Sequence, residues 1–127
     1  MTTIAVVEDN ADNRLLLQAI LEGVYEVVEY ENGTDALAGL EVSLPDLVLL
    51  DISLPGMDGN EILARIRADA RLQKLPVIAL TAHAMSGDRE KYLAAGFNDY
   101  ITKPIVDETI LLSAIERWLA ASPPGGG

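Results

Sequence analysis

Short unbroken apolar runs alternate with segments of helical periodicity along this chain, and the alternation repeats five times. Ile4-Ala5-Val6-Val7, Leu47-Val48-Leu49-Leu50 and Val77-Ile78-Ala79-Leu80 are apolar at every position, not at every second one. A strand with one wet face alternates. A strand that does not is covered on both faces, and that predicts a parallel sheet sandwiched by helices. Tyr25 to Tyr30, ended by the turn signal Asn32-Gly33, and Asp99-Tyr100-Ile101 supply two further strands. Between them lie helical patterns: Leu15, Leu16, Ala19 and Ile20; Ala36, Leu37 and Leu40; Ile62, Leu63 and Ile66; Met85, Tyr92 and Leu93, stopped by Gly96. Ile110, Leu111, Ala114, Ile115, Trp118 and Leu119 form the longest amphipathic helix. The βα order predicts an α/β doubly wound fold, a five-stranded parallel sheet with five helices. The length of 127 residues, half of them apolar, suits one domain with a sizeable core.

Charge narrows the function. The net charge is −11, but residues 1–61 carry 13 acids and the single base Arg14, while residues 62–127 carry 7 acids and 8 bases. So acidic a chain has no phosphate-neutralising patch for nucleic acid and is repelled by anionic membrane surfaces. The absence of Cys excludes disulfides and a thiol nucleophile, and one His, His83, excludes a multi-His metal site within one chain. No leader or apolar run of about 20 residues is visible, so the expected location is the cytoplasm. Residues 1–121 read as one domain, and 122–127, Ser-Pro-Pro-Gly-Gly-Gly, as a disordered tail.

In an open parallel sheet, ligands bind beyond the carboxyl ends of the strands. The first strand ends in Glu8-Asp9, the third in Asp51 and the fourth in Thr81, and Lys103-Pro104 follows the fifth. Three carboxylates in one crevice repel one another, and a hard divalent cation relieves the repulsion. Mg2+ accepts a few carboxylate oxygens, keeps several waters and suits phosphate chemistry. A lysine on the rim and a threonine hydroxyl then complete a place for a phosphoryl group. Asp51 stands alone at the end of the most apolar strand and suits a carboxylate nucleophile, whereas the adjacent Glu8 and Asp9 suit metal binding.

The segments Val6-Val7-Glu8-Asp9-Asn10, Asp46-Leu-Val-Leu-Leu-Asp51, Leu54-Pro-Gly-Met-Asp-Gly59, Leu80-Thr-Ala82 and Tyr100-Ile-Thr-Lys-Pro104 occur in this order. Through them the chain resembles, over about residues 3–120, the CheY-like receiver domain of two-component response regulators, especially single-domain regulators and the receivers of hybrid kinases. The resemblance implies a flavodoxin-like strand order 2-1-3-4-5. It implies that Asp51 is the phosphoacceptor, that Glu8, Asp9 and Asp51 hold Mg2+ with the backbone carbonyl of Ser53, and that Thr81 and Lys103 contact the phosphoryl group. Tyr100 matches an aromatic switch that follows Thr81, and the Lys103–Pro104 bond is expected to be cis. The implied donor is a phosphohistidine on a sensor histidine kinase or a histidine phosphotransfer domain. A downstream protein target, not identified by the sequence, receives the signal, and a phosphorylation-dependent dimer is compatible with the family. Such a domain is a switch that catalyses only its own phosphorylation and dephosphorylation.

Other readings compete. An aspartate-nucleophile phosphatase of similar fold carries a second Asp two residues after the nucleophile, where this chain has Ser53. A degenerate receiver that only binds partners lacks part of the residue set that is complete here. Taken singly, Thr81 reads as an ordinary strand residue, Lys103 and His83 as surface residues, and Tyr100 and Trp118 as packing. Asn10, Asp12 and Asn13 read as caps of the first helix. Leu15-Leu16-Leu17 supplies more apolar surface than one buried stripe needs, so Leu17 is either a partner contact or core.

Overall fold

The computed structural model describes residues 2–54, 56–82, 88–103, 105 and 107–121. The elements alternate throughout: β1 (Thr3–Val7), α1 (Ala11–Leu21), β2 (Glu26–Tyr30), α2 (Gly33–Val42), β3 (Leu47–Asp51), α3 (Gly59–Ala68), β4 (Val77–Thr81), α4 (Asp88–Ala95), β5 (Asp99–Thr102) and α5 (Glu108–Ala121). All five strands are parallel, in the order β2-β1-β3-β4-β5. This is the flavodoxin-like, CheY-like arrangement expected from the resemblance. The tail 122–127, His83, Met85 and Pro104 lie outside the described residues.

Burial explains the strand patterns. β3 and β4 are buried at every residue and β1 at all but its first, whereas edge strand β2 exposes Glu26 and Glu29 and half-buries the rest. Successive side chains point to opposite faces. Ala5, Val7, Val48, Leu50, Val77 and Ala79 therefore pack with Ala36 and Leu40 of α2, Ile62, Leu63 and Ile66 of α3, and Tyr92 of α4. Ile4, Val6, Leu47, Leu49, Ile78 and Leu80 pack on the other face with Leu17 and Leu21 of α1 and Leu111, Ala114 and Ile115 of α5.

Helix starts are fixed by side-chain caps. The side chain of Asn10 accepts from the backbone N–H of Asp12 and Asn13, that of Asn32 from Asp35, and that of Asp58 from Glu61. At the end of α1 the Glu22 N–H bonds the Gln18 carbonyl, and Gly23 turns the chain with φ 83°. The short link between α1 and β2 is thus an ordinary glycine-terminated helix end.

The buried stripe of α1 is out of phase with the expected one. Leu15 and Leu16 are 67% and 41% exposed, while Leu17 is 1% exposed and packs with Leu21. Leu17 is therefore core, and the apolar residues α1 presents to solvent are Leu15 and Leu16. Leu17→Ala is expected to lower unfolding free energy by about 2 to 3 kcal/mol in urea titration, and Leu15→Ala to change it by under about 0.5 kcal/mol. Equal effects would mean that the helix sits in the other phase.

Candidate functional site

Each chemistry-bearing side chain sits where a strand stops. The β1–β3 and β3–β4 registers bring the ends of three strands to one edge of the sheet, with Asp51 opposite Leu80 and Thr81 one residue beyond. The Ile52 N–H bonds the Leu80 carbonyl and the Lys103 N–H bonds the Thr81 carbonyl at 2.7 Å, so the crevice rim is tied to the sheet. Gly59 starts α3 directly against this edge. A Cβ there would lie 2.7 Å from the Asp51 carbonyl oxygen, so only glycine lets the helix approach.

The carboxylates converge. Glu8 and Asp51 are buried and Asp9 is exposed, and one oxygen from each lies within 4.8 Å of the others. The Lys103 ammonium donates to Asp51 Oδ2 at 3.0 Å and to Glu8 Oε1 at 3.3 Å. The Ser53 backbone N–H donates to Asp51 Oδ1 at 2.9 Å. Glu8 and Asp51 thus share the Lys103 ammonium, and among the described residues Glu8 Oε2 is buried without a hydrogen-bond partner. A buried, unpaired carboxylate oxygen is costly, and a divalent cation satisfies it. The all-oxygen donor set suits Mg2+.

Charge states follow from this crowding. Burial first, and then the hydrogen bond and charge of Asp51, push the Glu8 carboxyl up to about 7, against the weaker pull of Asn13 and Lys103. Burial also acts to raise Asp51, but hydrogen bonds from Glu8, the Ser53 N–H and Lys103 outweigh it and hold Asp51 below the usual carboxylate range. Burial acts to lower Lys103, but its hydrogen bond to Asp51 and the two carboxylate charges win and hold it above its ordinary value.

Glu8, Asp9, Asp51 and Lys103 therefore meet, as the strand-end pattern anticipates. Ser53 enters through its N–H on Asp51. Thr81 is buried at the same edge, its hydroxyl 2.9 Å from the Tyr92 hydroxyl. Tyr100 is half-buried, its ring 5.7 Å from that of Tyr92. Trp118 is partly buried and also polar in its contact, donating to Asp99 at 3.0 Å at the opposite end of β5 from Lys103.

Three contributors were not singled out for the site by sequence reasoning. Asn13 donates to Glu8 Oε1 at 2.6 Å, Arg14 donates to the Glu8 carbonyl at 2.7 Å, and Tyr92 meets Thr81. The only available signal for Asn13 was an amide in a helical first turn, where Asp or Glu is favoured.

Comparison with known proteins agrees with this geometry. Residues 4–116 match the response regulator receiver domain family. The chain is 43% identical over 122 residues to an uncharacterized 14.6 kDa protein of Leptolyngbya boryana, covering 95% of this chain and 92% of that one. It is 41% identical over 116 residues to the sensor protein GacS of Pseudomonas syringae pv. syringae, covering 88% of this chain but 13% of that much longer protein. Among solved structures it is similar to the receiver domain of sensor histidine kinase PA1611 from Pseudomonas aeruginosa, which has a magnesium ion coordinated in its active site cleft. That similarity has a TM-score of 0.84 at 38% identity, over 94% of this chain and 98% of that one. Among the described residues no helix is long and apolar enough to cross a membrane. With a receiver fold, an acidic cluster fit for Mg2+ and a family match over nearly its whole length, the chain belongs to the response regulator receiver domain family.

Proposed function

We propose that Asp51 is the phosphoacceptor of this receiver and that its donor is a phosphohistidine on a sensor histidine kinase or a histidine phosphotransfer domain. The observation that carries the assignment is the state of Asp51: buried, ionised, and oriented through both oxygens by the Ser53 N–H and Lys103. An Asp51 oxygen attacks phosphorus, the P–N bond breaks, and the leaving imidazole takes its proton from solvent. Glu8, Asp9, Asp51 and the Ser53 carbonyl would hold Mg2+, which when bound neutralises charge on the transferring oxygens. Lys103 moves from pairing carboxylates to pairing a phosphoryl oxygen, and its ammonium stabilises charge without any proton transfer.

The phosphoryl group adds acceptor oxygens at the sheet edge, and the Thr81 hydroxyl is the neutral donor within the same rim. Its turn toward the phosphoryl group breaks the contact with Tyr92, and Tyr100, whose ring is tilted against that of Tyr92, follows. That route connects Asp51 to the α4–β5 surface, where a downstream protein, or a second phosphorylated copy, reads the state. The donor domain meets α1, whose Leu15 and Leu16 are exposed. We assign this exchange to the cytoplasm.

The test is uptake of phosphoryl groups from a small donor such as acetyl phosphate, followed by intact mass. Uptake of one group per chain that requires Mg2+ and stops with chelator is expected. A protein that stays unmodified at high donor concentration with Mg2+, or is modified equally with chelator, overturns the assignment.

A further inference from the structure

Glu8 is held at three of its four polar groups. Its N–H bonds the Tyr30 carbonyl at 3.0 Å, its carbonyl receives the Arg14 guanidinium at 2.7 Å, and its Oε1 receives the Asn13 amide at 2.6 Å. Among the described residues, only Oε2 finds no partner, and it is buried. We propose that Asn13 is a positioning residue for the metal site, fixing the Glu8 carboxylate through Oε1 so that Oε2 is the oxygen offered to the cation. Lys103 also reaches Oε1, but at 3.3 Å, and it divides its charge with Asp51.

Local geometry supports the assignment. Asn13 is the third residue of α1, and its backbone N–H is pinned at 3.1 Å by the capping side chain of Asn10. The amide is therefore presented from a capped, regular turn. At this position a helix favours Asp or Glu, whose charge complements the N-terminal dipole. A carboxylate here would face Glu8 and repel it. The side chain thus goes against the preference of its helix and meets the need of Glu8 for a neutral donor. Partners one step removed from a metal orient its ligands, and their loss weakens metal binding by about tenfold or more.

The inference rests on Glu8 being a ligand of the divalent cation, and the experiment separates the two claims. Mg2+ affinity is measured by calorimetry on wild type, Asn13→Ala, Asn13→Leu and Glu8→Gln, with thermal unfolding without Mg2+ confirming that each is folded. Two Asn13 variants are used because the bulkier one tests loss of the donor at similar shape and the smaller one avoids crowding. Both are expected to bind Mg2+ about tenfold more weakly. Their rate of phosphorylation by acetyl phosphate falls at limiting Mg2+ and returns to the wild-type value at saturating Mg2+. A general distortion of the site would not show this recovery. Unchanged Mg2+ affinity in a folded Asn13 variant, with Glu8→Gln weakened, overturns the role of Asn13 alone. Unchanged affinity in Glu8→Gln as well overturns the ligand role of Glu8. A rate deficit that saturating Mg2+ does not restore also overturns the proposal.

Discussion

Asp51→Asn is expected to abolish phosphorylation, a loss on the order of a thousandfold or more, while the protein stays folded. The two effects separate because the side chain does two things. As a nucleophile Asp51 needs its charge, and a neutral amide oxygen cannot form the acyl phosphate. As a structural element it needs only shape and acceptors. Asparagine keeps an oxygen for the Ser53 N–H or Lys103 and stays within the same buried volume. It also removes the carboxylate that, after burial, most strongly pushes Glu8 up. Relief of that repulsion offsets the lost charge pairing with Lys103, so the variant should stay folded, with an unfolding temperature close to wild type at neutral pH. A variant that loses both phosphorylation and stability would indicate that the charge of Asp51 holds the fold together.

The second large effect is in the pH dependence of stability. The folded Glu8 carboxyl titrates at about 7 against an ordinary value of 4.5. Between those values the folded protein holds a proton that the unfolded chain has released, so stability falls as pH rises through this window. The gap corresponds to roughly 3 kcal/mol lost between about pH 5 and pH 8. Among the described residues, groups shifted the other way do not mask it. Asp51, Asp69 and Asp107 are all lowered, so their contributions are fully present above their ordinary value of 3.8 and constant in this window. Lys103 is raised, and its contribution is fully present below 10.5. Mg2+ requires the deprotonated cluster, so it restores stability mainly at the alkaline end, by about 2.7 kcal/mol at a hundred times its dissociation constant. Urea titrations at both pH values, with and without Mg2+, check this. A metal-free stability that is flat or rises from pH 5 to pH 8 contradicts it, and Glu8→Gln should remove the slope.

Much of this molecule is legible in its sequence because the strongest signals are periodic or positional. β1, β3 and β4 read as doubly covered because nothing polar interrupts them until the strand end, and edge strand β2 betrays itself by Glu26 and Glu29. Glu8, Asp9, Asp51 and Lys103 were found because parallel strands deliver their ends to one edge, whatever their separation in sequence. The phase of α1 was not legible. Leu15, Leu16, Leu17, Ala19, Ile20 and Leu21 are all apolar, so two stripes fit the same segment and only packing against Ile4, Val6 and Leu111 selects Leu17 and Leu21. Asn13 and Tyr92 were hidden for a different reason. Their importance lies in single hydrogen bonds to Glu8 and Thr81, which depend on rotamers and inter-element distances that no spacing rule encodes.

The phosphoacceptor itself can be read directly. An acyl phosphate is reduced by borohydride to the corresponding alcohol, so treating the protein after acetyl phosphate and Mg2+ marks the modified residue permanently. Peptide sequencing by mass spectrometry should then find homoserine at position 51, dependent on both Mg2+ and donor, and aspartate at positions 9, 46 and 58. Homoserine at another aspartate, or none at position 51 in protein shown to carry the phosphoryl group, would contradict the account.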